Sequence, residues 1–180
     1  SIIAVIMTTG SLSLGNMITG QSGWHGMAWN VVLQPLGFLI FLICAFAETN
    51  RTPFDLPESE TELIGGYHTE YSSMKLGFYL FAEYINMFLS SAVISCLYFG
   101  GYNFPFMDIV QQNTGEILFA FICFLVLMTK ILFFIFFFFW VRWTIPRFRF
   151  DQLMNLGWKI LLPLSIINML ITGTIILLNQ

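Results

Sequence analysis

Seven of the ten acidic residues fall between Glu48 and Glu83. The run holds Glu48, Asp55, Glu58, Glu60, Glu62 and Glu70 around a single cation, Arg51. Carboxylates packed this closely cannot all ionise at neutral pH. Some must hold protons and answer to charge changes nearby. Pro53 and Pro57 stiffen the run, and Phe54, Tyr67, His68 and Tyr71 make it too bulky for a linker. Asp55 is predicted to cap a short helix, with Pro57 in the first turn, Glu58 completing a capping box, and Gly65 and Gly66 at its end. The plain reading is a solvated acidic turn. The chemical reading is a proton-handling vestibule with no substrate specified.

Two further charges stand inside long apolar runs, Glu83 and Lys130. Each costs about 2.5–3.5 kcal/mol to insert at the centre of a membrane helix. One reading is a static ion pair between them that fixes helix packing. The other is a hydrated proton or ion path. Tyr79, Glu83, Asn86 and Ser90 recur at helical spacing and share one face, which makes that face polar.

Other chemistries are poorly supplied. The three cysteines, Cys44, Cys96 and Cys123, lie far apart in apolar runs without a CxxC pairing. Neither an iron–sulfur site nor a disulfide framework is readable from them. His25 and His68 fall outside the long apolar runs, which disfavours a bis-histidine haem in the membrane. No metal site and no redox centre is expected. A net charge of −3 offers nothing basic enough for nucleic acid.

The elements that must position these residues follow from composition. Charged residues make up 9% of the 180 residues and hydrophobic residues 57%, with a mean hydropathy of +0.79. Seventeen charges cannot cover the outside of a soluble fold of this length, and disorder requires low hydrophobicity. The expected fold is all-α, a single polytopic membrane helix bundle over 1–180. Residues 1–14 read as the end of one span. Four complete spans are expected at about 29–47, 74–99, 116–140 and 157–178. Ser1–Met7 is already apolar and lacks the basic start of a signal peptide, so the chain reads as a fragment or as one piece of a split protein.

The connecting segments differ in charge. Lys and Arg are absent from 15–28 and 100–115. Arg51, with Lys75 just beyond, marks the acidic loop 48–73. Arg142, Arg147 and Arg149, followed by Lys159, mark the basic loop 141–156. This alternation puts the acidic and basic loops on one side, the negative side of the membrane. Trp24, Trp29, Trp140, Trp143 and Trp158 sit at span ends, where indoles anchor at the interface.

Four stretches carry a resemblance. Ala47-Glu-Thr-Asn-Arg-Thr-Pro-Phe-Asp-Leu-Pro-Glu-Ser-Glu60 is followed by Glu70-Tyr-Ser-Ser-Met-Lys75 and Ala82-Glu-Tyr84. Trp140-Val-Arg-Trp-Thr-Ile-Pro-Arg-Phe-Arg-Phe-Asp-Gln-Leu-Met154 forms the fourth. Together with Thr129-Lys130, they resemble membrane subunit 1 of respiratory complex I, the NADH:quinone oxidoreductase, from about Ala47 to Pro163. His68 departs from the Asn frequent in relatives after the Gly-Gly-aromatic step. The family has eight spans, of which this chain would hold the end of the fourth and all of the fifth to eighth. The first three would come from a separate chain or from the remainder of a longer protein.

The resemblance implies a quinone-chamber subunit that couples quinone reduction to proton translocation. Glu48, Arg51, Asp55, Glu58, Glu60, Glu62 and Glu70 would border the chamber and the start of the proton path. Tyr79, Glu83 and Lys130 would continue it inside the membrane. Arg142, Arg147, Arg149 and Asp151 would dock partner subunits. This chain would bind no cofactor. Quinone would be the substrate at the interface, with ubiquinone and lipids as ligands, and FMN and the iron–sulfur clusters would reside in partners. Expected partners are the quinone-site hydrophilic subunits and small membrane subunits. The 21 phenylalanines point to an AT-rich genome and a mitochondrial inner membrane, with a bacterial plasma membrane as the alternative. A membrane-bound hydrogenase subunit and a free-standing ion transporter are the competing functions.

Overall fold

The computed structural model describes residues 1–23, 28–55, 65–71, 73–105, 107, 110–111 and 115–178, without the side chains of Tyr67 and His68. Every regular element among them is helical. In chain order the α-helices are α1 (Ile2–Thr9), α2 (Leu14–Gly20), α3 (Asn30–Leu33), α4 (Pro35–Glu48), α5 (Met74–Tyr98), α6 (Glu116–Thr144), α7 (Phe150–Asn155) and α8 (Leu162–Leu178), with a 3-10 turn at Gly66–Thr69 before α5. A wider π-helical turn, Leu156–Leu161, joins α7 to α8. Among the described residues, three helices are long and apolar enough to cross a membrane: Met74–Tyr98, Glu116–Thr144 and the continuous Phe150–Leu178. A fourth crossing results if α1 and α2, bent by 69° at their break, count as one.

The helices differ from the expected spans where backbone chemistry intervenes. The stretch predicted to run unbroken over 29–47 is divided at Gln34, whose backbone leaves the helical region (φ −134, ψ 63) before Pro35 opens α4. A proline ring disfavours a helical conformation in the residue before it and removes an N–H donor. The segment predicted as a loop over 15–28 begins with α2. The basic loop is shorter than expected. Helix α6 runs on through Arg142 to Thr144, and α7 starts at Phe150. Between them Ile145 turns extended (φ −100, ψ 131) ahead of Pro146.

The core lies where α4, α5 and α6 meet. Phe46 packs on Phe138 with ring centroids 4.4 Å apart, and Phe99 on Phe134 at 5.0 Å. Ala45, Met87 and Ile94 complete this cluster. On α5, Ser91 and Ser95 are fully buried, and each donates back to the carbonyl four residues earlier at 2.8 Å. Their small side chains let neighbouring helices approach closely. The opposite faces are apolar and exposed: Ile117, Phe121, Phe136, Ile167 and Leu170 all look outward. An uncovered apolar surface of this extent belongs against lipid or other membrane helices.

Polar side chains hold the broken segments in place. Gln21 donates to the carbonyls of Met17, Cys96 and Leu97 at 3.1–3.2 Å and accepts from the Asn30 N–H at 3.2 Å. Asn30 Nδ2 donates to Leu97 O at 2.8 Å. Without water nearby, backbone groups freed at a helix break need such partners.

Candidate functional site

The predicted vestibule is anchored at the end of α4. The helix stops at Glu48, and Asn50 takes a left-handed turn (φ 48), a conformation asparagine tolerates. The chain then folds inward, so that Arg51 and Asp55 are only 7% and 4% exposed. Arg51 Nη2 lies 3.2 Å from Glu83 Oε2 on α5, and its guanidinium stands 4.8 Å over the Tyr84 ring. A planar guanidinium is suited to this double role, pairing a carboxylate while stacking on an aromatic face.

Glu83 is about one-fifth exposed. Tyr79, one turn earlier, lies within electrostatic reach of Glu83, Asp55 and Tyr71. One turn later, Asn86 Nδ2 donates to the carbonyl of Glu48 at 3.3 Å. The polar face of α5 therefore meets the end of α4. Between the two helices a cleft of about 310 Å³ is lined by Glu48, Asn86 and Ser90 among apolar side chains. A second, apolar cleft of about 450 Å³ runs between α4 and the α7–α8 helix, with Phe54, Ala47 and Leu153 in its wall. Phe54, from the acidic loop, is buried in the main core.

The acidic and basic loops touch. The Phe148 N–H donates to Pro53 O at 2.9 Å, and the Phe54 and Phe148 rings stand 5.6 Å apart. The two loops thus share one end of the bundle. Arg147, Arg149 and Asp151 are exposed there, and Arg142 is half-buried in the last turn of α6. Gln152 Oε1 accepts from the Arg149 N–H at 3.2 Å, which starts α7.

The remaining expected residues are placed less centrally, or lie outside the described residues. Glu48 and Glu70 are exposed. Glu58, Glu60 and Glu62, and the helix expected after Asp55, lie outside the described residues, as do Trp24 and His25. Lys130 is not brought to Glu83. Its ammonium donates to the carbonyls of Phe99, Gly101 and Asn103 at 2.7, 2.8 and 2.5 Å, beside Trp29. Sequence reasoning read Trp29 as an interface anchor and Tyr84 as part of a motif, and missed that they offer their ring faces to Lys130 and Arg51. Tyr84 follows Glu83 directly, but on a helix adjacent residues diverge, so only the fold puts both on Arg51.

A family model described as NADH dehydrogenase matches residues 1–173. The chain belongs to the NADH dehydrogenase family. Among its relatives, an NADH-quinone oxidoreductase subunit of Cytophaga hutchinsonii is 64% identical over 181 residues, covering 99% of this chain and 51% of that protein. The corresponding NADH-quinone oxidoreductase subunit of Flavobacterium johnsoniae is 66% identical over 177 residues, covering 98% and 50%. NADH-quinone oxidoreductase subunit 8 of Rhodothermus marinus is 48% identical over 176 residues, covering 95% and 52%. The chain spans about half the length of these curated relatives. Membership in the NADH dehydrogenase family agrees with the resemblance carried by the acidic and basic loops. Its members named here are bacterial.

Proposed function

We propose that this chain is the quinone-chamber portion of the membrane subunit of a proton-translocating NADH:quinone oxidoreductase. The observation that carries this reading is the ion pair between Arg51, in the acidic loop, and Glu83, inside a membrane helix. It connects the start of the acidic loop with a titratable group within the bundle. Reducing a quinone to a quinol consumes two protons, and an enclosed chamber must be resupplied through side chains or water. Glu48, Asp55, Glu58, Glu60, Glu62 and Glu70 hold and pass protons at the chamber edge. Arg51 selects which of them stay ionised, because a fixed cation favours the charged form of its nearest carboxylate. A redox event at the quinone alters that balance, and Glu83 and Tyr79 carry the change into the membrane.

Electrons reach the quinone from FMN and iron–sulfur clusters in partner subunits. Arg142, Arg147, Arg149 and Asp151 form the docking surface for the hydrophilic partners, beside the acidic loop. The bacterial relatives favour a bacterial plasma membrane over the mitochondrial inner membrane. Small membrane subunits and lipids cover the apolar outer faces.

Arg51→Ala in the full-length subunit, within the assembled complex, tests the reading. NADH:quinone reductase activity should fall about tenfold or more, the effect of losing one charge-assisted contact. NADH oxidation by an artificial acceptor at the flavin should persist. Equal loss of both activities in fully assembled enzyme overturns the chamber role.

A further inference from the structure

The second intramembrane charge has a geometry that the proton path does not use. Helix α5 ends at Tyr98, and Gly100 and Gly101 follow with left-handed backbones (φ 68 and 53). A Cβ on Gly101 would lie 2.8 Å from Ile18 Cδ1, and one on Gly100 would lie 3.2 Å from the Trp29 indole. Only glycine makes this turn here at low cost. The turn gathers the carbonyls of Phe99, Gly101 and Asn103 around one point, held by Gly101 N–H to Ser95 O at 2.8 Å and Asn103 Nδ2 to Ile18 O at 2.7 Å. Lys130 Nζ occupies that point and uses all its donors on these carbonyls. The Trp29 ring centroid lies 5.1 Å away, within cation–π range. Among the described residues no carboxylate is within ion-pair distance of Lys130.

We propose that this turn is a preformed cradle for a monovalent ammonium-type cation, filled from within the chain by Lys130, which acts as a positioning residue for the end of α5. The site matches the ligand three ways. The negative end of the α5 dipole faces it. Three carbonyls equal the three donors of an ammonium. The aromatic face completes a shell that excludes anions. The cradle does not depend on the proton-path reading.

The test uses the full-length subunit in its assembled complex. It is read in detergent, where methylammonium cannot act on a proton gradient. Lys130→Met preserves length and leaves the carbonyls bare. Its survival after heating should fall about tenfold, as for loss of a hydrogen bond to a charged group. Lys130→Ala opens space for a free cation. Methylammonium should restore its heat survival and quinone reductase activity, tetramethylammonium should not, and the parent should be indifferent to both. Arg51→Ala should show no such rescue, which separates this cradle from the proton path. If Lys130→Ala assembles only when methylammonium is present during growth, the cradle is likewise supported. Normal heat survival of Lys130→Met, or no rescue of Lys130→Ala by methylammonium during growth or assay, overturns it. An assembled, heat-stable but inactive Lys130→Arg also overturns it, because arginine keeps the charge and cannot release a proton.

Discussion

At the scale of single residues, Arg51 and Glu83 depend on each other. Arg51 is almost fully enclosed, so removing its carboxylate leaves a desolvated charge. Breaking one side of a buried pair costs about 3–5 kcal/mol, whereas replacing both partners by apolar groups of similar size is close to neutral. Glu83→Gln should therefore lower thermal stability of the detergent-solubilised complex more than Arg51→Met/Glu83→Leu does. A double variant that loses the sum of the two single losses would show that the pair is uncoupled. Gly101 makes a second prediction. A left-handed backbone costs a non-glycine residue about 1–2 kcal/mol, and the new Cβ meets Ile18. Gly101→Ala should lower the melting temperature, and adding Ile18→Ala should recover only the steric part. Full recovery would mean that backbone conformation contributes nothing there.

At the scale of elements, the breaks are stabilised by side-chain amides. Gln21 bridges α2, α3 and the last turn of α5 through four hydrogen bonds. An average interhelical hydrogen bond in a membrane contributes about 0.6 kcal/mol, but here its loss also strands backbone groups away from water. Gln21→Leu should cost more than that average, measured as a lowered midpoint of thermal unfolding in detergent, and an unchanged midpoint would show that water takes over the role. Gly37 is similarly constrained. Its Cβ would lie 3.2 Å from Asn168 Nδ2 on α8 and 3.6 Å from Gln34 Oε1, and Tyr98 donates to its carbonyl at 3.1 Å. The sequence showed an apolar run over 29–47 whose length suits one span. Hydropathy cannot register that Gln34 and Pro35 divide it, because two residues scarcely change the mean over a window of about 19.

At the scale of the whole molecule, the contact between Pro53 and Phe148 requires both loops at one end of the bundle. Helix α6, 29 residues long, separates Gly115 from Ile145 by more than a bilayer core. In membrane vesicles, cysteines introduced for Glu70 and Arg147 should react with an impermeant reagent from the same side, and one introduced for Gly115 from the other. Labelling of Gly115→Cys and Arg147→Cys from the same side would contradict the crossing of α6.

The sequence alone determined the solvent, the helical class and the chemical character of the two loops. These follow from one-dimensional quantities: charge density, apolar run length and the local wording of the motifs. It also placed Tyr79, Glu83, Asn86 and Ser90 on one face, because helical periodicity is local. It could not assign partners to the charges. A pairing of Glu83 with Lys130 and one with Arg51 satisfy the same composition, and neither is local in sequence. Tertiary packing decided between them. Residues 49–55, just after α4, turn inward and bring Arg51 to Glu83, while the Gly100–Gly101 turn carries three carbonyls to Lys130. Backbone carbonyls are present at every residue, so no residue pattern marks the ones that will converge. Their convergence depends on helix crossing and on where α5 ends, and only the assembled bundle specifies both.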